Sequence, residues 1–468
     1  MTRSILVTIL GLLSLCAFAV DVYSDASRPN RPVDRDRAEQ GYAFLRQLPL
    51  GSKMLCLSDF DNLYRVWDGN DAEMAKTADR ERRRRIAYAR YGLVDAPYTN
   101  DGLPMGLVYN PKTNGVHLNC LLCHGGAIRG TPFAGLPNQR LDFATFYEDV
   151  QILDSINRGT KPPDRSIDTG ARQSRTRGGS NVWIVEAGLL SNRNPDLSPI
   201  DQPPANPNPA KNFDTTPSPY WNIKKKLRLY HAGFISVGAQ PPMLATLYNR
   251  KLTADEVTGY LPDFEKVVDW FRSIPAPKYP GPINQSLAAS GKAVFEKACA
   301  KCHGTYGEDW TFPNADIPIA TVGTDPVDLN GKGNFIEKYY PSWFNKFGAV
   351  DSLISLQRQS YLAPPLDAIW ASAPYLHNGS VPTLYHILHP DQRPSVWKVT
   401  DYDDYDDQRV GLRFEQFDAV PISSSMTIPD QRRYFDTSVY GQSNKGHLFP
   451  DQLTESEKGE VLEYLKTL

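Results

Sequence analysis

The sequence has little net charge, few sulfur-bearing residues and no long apolar run after its first twenty positions. Its 468 residues carry 51 basic and 53 acidic side chains, a formal charge of −2. At chain level this excludes the basic footprint that nucleic-acid binding needs. The local run Arg82-Arg83-Arg84-Arg85 reads as a solvated helix face, since Glu81 lies four residues before Arg85. No second apolar run is long enough for a stable membrane span once the N-terminus is set aside. What is present suits a folded chain too long for one ordinary core, with 41% hydrophobic residues. The 38 prolines and 33 glycines signal long irregular connections.

At the N-terminus, Arg3 precedes an apolar run from Ile5 to Val20, and Ala17-Phe18-Ala19 gives the small-x-small pattern of a cleavage site. This predicts a signal peptide over residues 1–19 and a periplasmic or secreted protein. An uncleaved anchor and lipidation at Cys16 are the rival readings. Cleavage would leave Cys56, Cys120, Cys123, Cys299 and Cys302, an odd number in a compartment that favours disulfides. Cys56 stands alone and reads as a small buried hydrophobe.

The other four cysteines fall into two copies of one pattern, "NCLLCHGG" (119–126) and "ACAKCHG" (298–304). Both are Cys-x-x-Cys-His, the attachment sequence of c-type haem. On a helical turn, cysteines three apart share a face, so both thiols can add to the vinyl groups of one porphyrin. The histidine that follows projects beneath the ring, where a nitrogen reaches iron. A redox dithiol has no use for the histidine twice. A zinc site would want the two pairs close together. Two covalently bound haem c groups are therefore expected, on Cys120 and Cys123 with His124, and on Cys299 and Cys302 with His303.

The flanks predict a mainly α fold of two cytochrome c-like helical domains with long irregular loops and little β. Gly291 and Phe295 lie one turn apart just before Cys299, and "LTESEKGEVLEYLKTL" opens with Thr454 and Glu457 as a capping box. A glycine on one helix lets a second cross closely. "DFEKVVDWFRSIP" spaces Phe264, Val267, Val268, Phe271 and Ile274 as a similar closing helix. Pro275, Pro277, Pro280 and Pro282 then make a stiff linker. This places an N-terminal domain at 20–280 and a C-terminal domain at 281–468. The stretch "NPDLSPIDQPPANPNPAKNFDTTPSPYW" is expected to wrap the surface, and "DYDDYDDQR" (401–409) reads as a solvated acidic loop rather than a calcium loop.

With these pieces placed, the chain resembles the exported dihaem c-type oxidoreductases: dihaem cytochrome c peroxidases, methylamine-utilisation dihaem enzymes and dihaem rubber oxygenases. The segment "APYLHNGSVPTLYHIL" is similar to the Pro-Tyr-x-His-Asn/Asp-Gly-Ser segment of all three. The ending "YFDTSVYGQSNKGHLFPDQLTESEKGEVLEYLKTL" is closer to the rubber-oxygenase branch. That branch implies a second histidine on the C-terminal iron, which points to His447, with His377 and Met426 as alternatives. His377, beside the turn Asn378-Gly379, is then expected to brace that haem site. The resemblance implies an open N-terminal haem at His124, with His117 and His231 as its weaker candidate partners. Peroxide or dioxygen would react there, with an organic substrate or a small redox protein as partner. The alternative is a non-catalytic electron carrier. His386 and His389 are left without a role.

Overall fold

In each half of the chain a pair of helices crosses at a glycine. The computed structural model describes residues 32–167, 175–179, 194, 198–200, 215–233, 235–248, 252–330 and 359–468, so the expected signal peptide at 1–19 lies outside the described residues. Helix α1 (Arg35–Gln47) starts at Asp34, whose carboxylate accepts the Arg37 N–H. Helix α2 (Arg80–Tyr91) carries the arginine run, and α3 (Phe143–Asn157) packs beside it. Helix α4 (Ala254–Ser273) opens with a Thr253–Glu256 capping box. Helix α5 (Gln285–Ala298) leads into the second motif, and α6 (Glu455–Leu465) has the expected Thr454–Glu457 box.

Helix α1 crosses α4, and α5 crosses α6. A Cβ on Gly41 would lie 2.0 Å from the Lys266 carbonyl oxygen, and one on Gly291 would lie 1.9 Å from that of Glu460. No side chain fits at either crossing. Around them Leu45, Phe264, Val267, Phe271, Phe295 and Val461 are buried in one apolar cluster that runs through both halves. The sequence shows the Gly291 crossing through its capping box and helical spacing. The equivalent role of Gly41 went unread because α1 lies far upstream of the first motif.

The expectation of little β is overturned. The structure is 42% helical and 17% strand, with five small sheets among the described residues. Strands β1 (Leu50–Leu55), β2 (Leu107–Asn110) and β3 (Gly115–Leu118) pair in the order β1-β3-β2. A hairpin of β4 (Gly125–Ile128) and β5 (Thr131–Ala134) follows the first motif directly. Two-residue strands β6 (Arg228–Leu229) and β7 (Ile235–Ser236) pair, as do β8 (Asp316–Pro318) and β9 (Ser360–Leu362). Strand β10 (Val396–Asp406) lies between β11 (Gly411–Phe417) and β12 (Tyr434–Asp436). The acidic stretch is therefore mostly strand. Aspartates are poor strand formers and hide the pattern. Trp397 is nonetheless buried at the open end of the hairpin and Val410 and Leu412 at its turn, while Asp403, Asp404 and Asp407 pair with Arg140, Arg413 and Arg129.

Buried charges knit the outer layers. Arg432, 1% exposed, donates to both Glu148 oxygens (2.7 and 2.9 Å) and to Thr145 of α3. Arg90 in α2 bonds Asp149, Asp71 and Asp68. A charge so deep is tolerated only when paired in this way.

The helix crossings give a direct test. Gly41→Ala and Gly291→Ala should each cost about 3 kcal/mol in denaturant unfolding. Gly459→Ala, on α6 where a Cβ meets nothing within 4 Å, should instead gain roughly 0.5–1 kcal/mol.

Candidate haem sites

The two attachment motifs fold as single helical turns in different settings. In the first, the Asn119 side chain accepts the Leu121 N–H at 2.9 Å and starts the turn Cys120–Leu122. The His124 N–H closes it on the Cys120 carbonyl at 3.0 Å. Asn138 clamps it from outside, donating to the Leu122 and Gly92 carbonyls, while its own N–H meets Cys123. Gly106 (φ +88°) lets the preceding loop pass, since a Cβ there would lie 2.1 Å from the Leu122 nitrogen. In the second motif, α5 runs almost unbroken into Ala300–His303 and stops at Gly304, whose φ is positive at +77°. Cys120, Cys123, Cys299 and Cys302 are all half-buried.

Both motif histidines are held in the same way. His124 Nδ1 lies 3.0 Å from the Ser218 carbonyl oxygen, and His303 Nδ1 lies 2.9 Å from that of Pro364. Each carbonyl belongs to the residue before a proline, Pro219 or Pro365. With Nδ1–H donating, Nε2 keeps a lone pair, the form that a metal ligand requires. Burial lowers the His124 pKa to about 4 and also lowers that of His303, so both are neutral near pH 7. The His124 ring stacks on Tyr220, centres 4.1 Å apart, and Tyr220 rests on Phe271 of α4.

His447 faces His303 with ring centres 6.3 Å apart and planes 60° from parallel. A ligating imidazole nitrogen sits ~2 Å from a first-row metal. Two rings sharing one ion should then have centres roughly 6 Å apart, too far for a direct bond between them. The separation fits an iron between the two. His124, His303 and His447 are half-buried, whereas His117, His377, His386 and His389 are packed. The half-buried thiols and imidazole of each motif are the donor set that a covalently attached haem needs. His447 itself has φ +52°, and its N–H bonds the Val322 carbonyl at 2.6 Å. Gly446 beside it packs so tightly on Gly323 that a Cβ would lie 2.3 Å from the Gly323 carbonyl carbon. Arg393 holds the loop from within, donating to the carbonyls of His386, Asn444 and Gly446. Burial, and then the neighbouring His303, push the His447 pKa down to about 3.

The remaining candidates fall elsewhere. His117 lies on β3 with Nε2 2.9 Å from the Thr113 hydroxyl. Met426 sits in a short turn whose N–H bonds Ser423. His386 is paired with the Thr383 hydroxyl, and His389 with Glu455. His377 is buried, stacked on Tyr361 at 4.3 Å with Nε2 3.1 Å from that hydroxyl. Beside it, the Asn378 side chain donates to the Gly441 and Ser443 carbonyls, in the loop that leads to His447.

Two stretches prove to be copies of one unit. Trp221 and Asp367 stand 146 residues apart, and the same offset relates Ser218 to Pro364, His231 to His377 and Gly233 to Gly379. Tyr230 and Leu376 both have positive φ (65° and 62°), as do the two glycines (63° and 72°). The copies exchange backbone bonds: Thr216 N–H to the His377 carbonyl (2.8 Å), and Leu362 N–H to that of His231 (2.7 Å). The His231 and His377 rings meet at 6.2 Å between them. His231 is thus engaged with this partner and with the Thr216 carbonyl. The stretch expected to wrap the surface ends, over 215–221, in a strap that is buried from Pro219 onward; its residues 195–197 and 201–214 lie outside the described residues. A search for repeats at fixed offset would have found this unit.

Residues 360–398, which hold Tyr361, Pro364 and the His377 turn, match the model of a family described as RoxA-like, cytochrome c-like. At a coarse level this supports a rubber-oxygenase-like cytochrome, with haem binding and electron transfer. Two proteins of Sinorhizobium fredii (strain NBRC 101917 / NGR234) are similar. Uncharacterized protein y4iJ is 28% identical over 263 residues, covering 42% of this chain and 42% of its own length. Uncharacterized protein y4iM is 28% identical over 188 residues, covering 36% of this chain and 43% of its own. The chain thus spans less than half of each relative. No helix among the described residues is long and apolar enough to cross a membrane.

Arg393 can be tested apart from any spectrum. Arg393→Ala strips donors from three carbonyls and should lower unfolding stability by about 2 kcal/mol.

Proposed function

We propose that this chain is an exported dihaem c-type oxidoreductase, with peroxide or dioxygen as oxidant at the His124 site. One haem would be held by Cys120, Cys123 and His124, the other by Cys299, Cys302, His303 and His447. Bound there, haem c supplies a one-electron couple tuned by its axial ligands and their hydrogen bonds. The observation that carries this reading is the repeated arrangement of two Cys-x-x-Cys-His turns, each with its histidine Nδ1 tied to a carbonyl before a proline.

The two sites divide the work through their residues. His303 and His447 would together hold one haem, which would shut small molecules out and suit that site to holding an electron. His124 offers one imidazole from the Tyr220 side, and its site is where the oxidant binds. The cytochrome c-like units would be 20–280 and 281–468, exported behind the leader at 1–19. A small redox protein or an organic substrate would complete the electron balance.

Covalent haem counting tests the base of the proposal. Pyridine haemochrome spectra should give two haems per chain, and one after replacing either cysteine pair with alanine. Carbon monoxide tests the division of work. Added to the reduced protein, it should shift the absorbance of one haem; if neither responds, the oxidant site is refuted and an electron carrier remains. In His447→Ala both haems should respond.

A further inference from the structure

We infer that Trp221 and Asn222 are positioning residues that tie the supports of His124 and His303 together, so that neither haem's potential is set alone. The inference rests on the reading that both histidines ligate haem. Trp221 is fully buried and Asn222 nearly so, at 5% exposed. The Trp221 indole N–H donates to the Asp367 carbonyl at 2.8 Å, and the Asn222 amide donates to the Pro365 carbonyl at 3.1 Å.

Those acceptors belong to the same short segment as Pro364, whose carbonyl takes the His303 bond. On the other strap, Ser218, three positions before Trp221, supplies the carbonyl for His124. The prolines at 219 and 365 fix φ, so each acceptor peptide moves with its strap rather than on its own. The route from one histidine to the other is therefore short: His124, the Ser218 carbonyl, Trp221 or Asn222, the Pro364–Asp367 segment, His303. The exchanged bonds of Thr216 and Leu362 hold the same two straps from the other end.

Packing alone does not account for these side chains. Asn222 Oδ1 is buried and makes no hydrogen bond among the described residues, so the amide is held through its N–H donor. An apolar residue of that size would fill the space without burying an unmatched oxygen. What the amide and the indole add is a fixed distance between two backbone segments.

That distance bears on potential. A carbonyl that pulls on Nδ1–H makes the imidazole a stronger donor, and stronger donation favours oxidised iron. Loosening either strap weakens that pull at both histidines.

The test uses holoprotein and spectroelectrochemical titration of both haems. Trp221→Phe keeps an aromatic ring and deletes the donor, while Asn222→Leu keeps the volume. Each variant should retain two haems and raise both midpoint potentials, and the double variant should raise them further. A rise at one haem alone, or potentials unchanged in variants that only melt earlier, would overturn the inference. Should Asn222→Leu fail to fold, Trp221→Phe decides the matter alone. A wild-type chain without covalent haem would instead sink the functional reading.

Discussion

The structure depends on the hydrogen bond from each motif histidine to a backbone carbonyl. A histidine fixed only by its own helical turn could rotate, switch tautomer or titrate. Binding Nδ1–H to Ser218 or Pro364 stops the rotation and fixes the tautomer, because the carbonyl accepts and cannot donate, while burial keeps the ring neutral. The constraint then spreads outward. The carbonyl must be held, so each strap carries a proline and inserts large side chains: Tyr220 and Trp221 on one, Leu366 and Trp370 on the other. Burial of those side chains makes the straps part of the core rather than surface loops.

The helix crossings supply the frame against which the straps are fixed. Phe271 of α4 supports Tyr220, and Tyr220 supports His124. On the other side Phe295 of α5 touches both Tyr464 of α6 and Tyr306, whose hydroxyl donates to the His303 carbonyl and accepts the Leu366 N–H. In both halves the order from outside in is glycine crossing, aromatic ring, strap, histidine. A side chain at Gly41 or Gly291 would part the helices and release the aromatic that seats the strap.

Much of this was legible in the sequence, and the limits have physical causes. Cys-x-x-Cys-His is readable because covalent attachment needs adjacent residues in fixed order. The cap of α6 is readable because it satisfies local N–H groups. The close facing of His447 and His303 was suggested by resemblance and not by any local pattern, since the loop is placed by Arg393 and Gly323 from distant parts of the chain. The sheets were missed for a similar reason. Strands of two to four residues bury too little to imprint a period-two pattern, and the longest strand is masked by aspartates that pair with distant arginines. The packing partner of His231 could not be read locally because it lies in the other copy of the unit.

The difference between the two sites can be traced to one position in that repeated unit. After the shared histidine, the first copy has Ala232 and the second Asn378. The Asn378 amide reaches the carbonyls of Gly441 and Ser443 and so anchors the loop that ends in Gly446-His447. Alanine has no donor with which to recruit a loop. A duplicated frame therefore holds both motif histidines alike, and a side-chain amide, reinforced by Arg393, anchors the loop that sets a second imidazole opposite His303. The asymmetry that the proposed division of work would need is laid over the repeat at its edge, where changing it does not disturb the carbonyls on which both histidines depend.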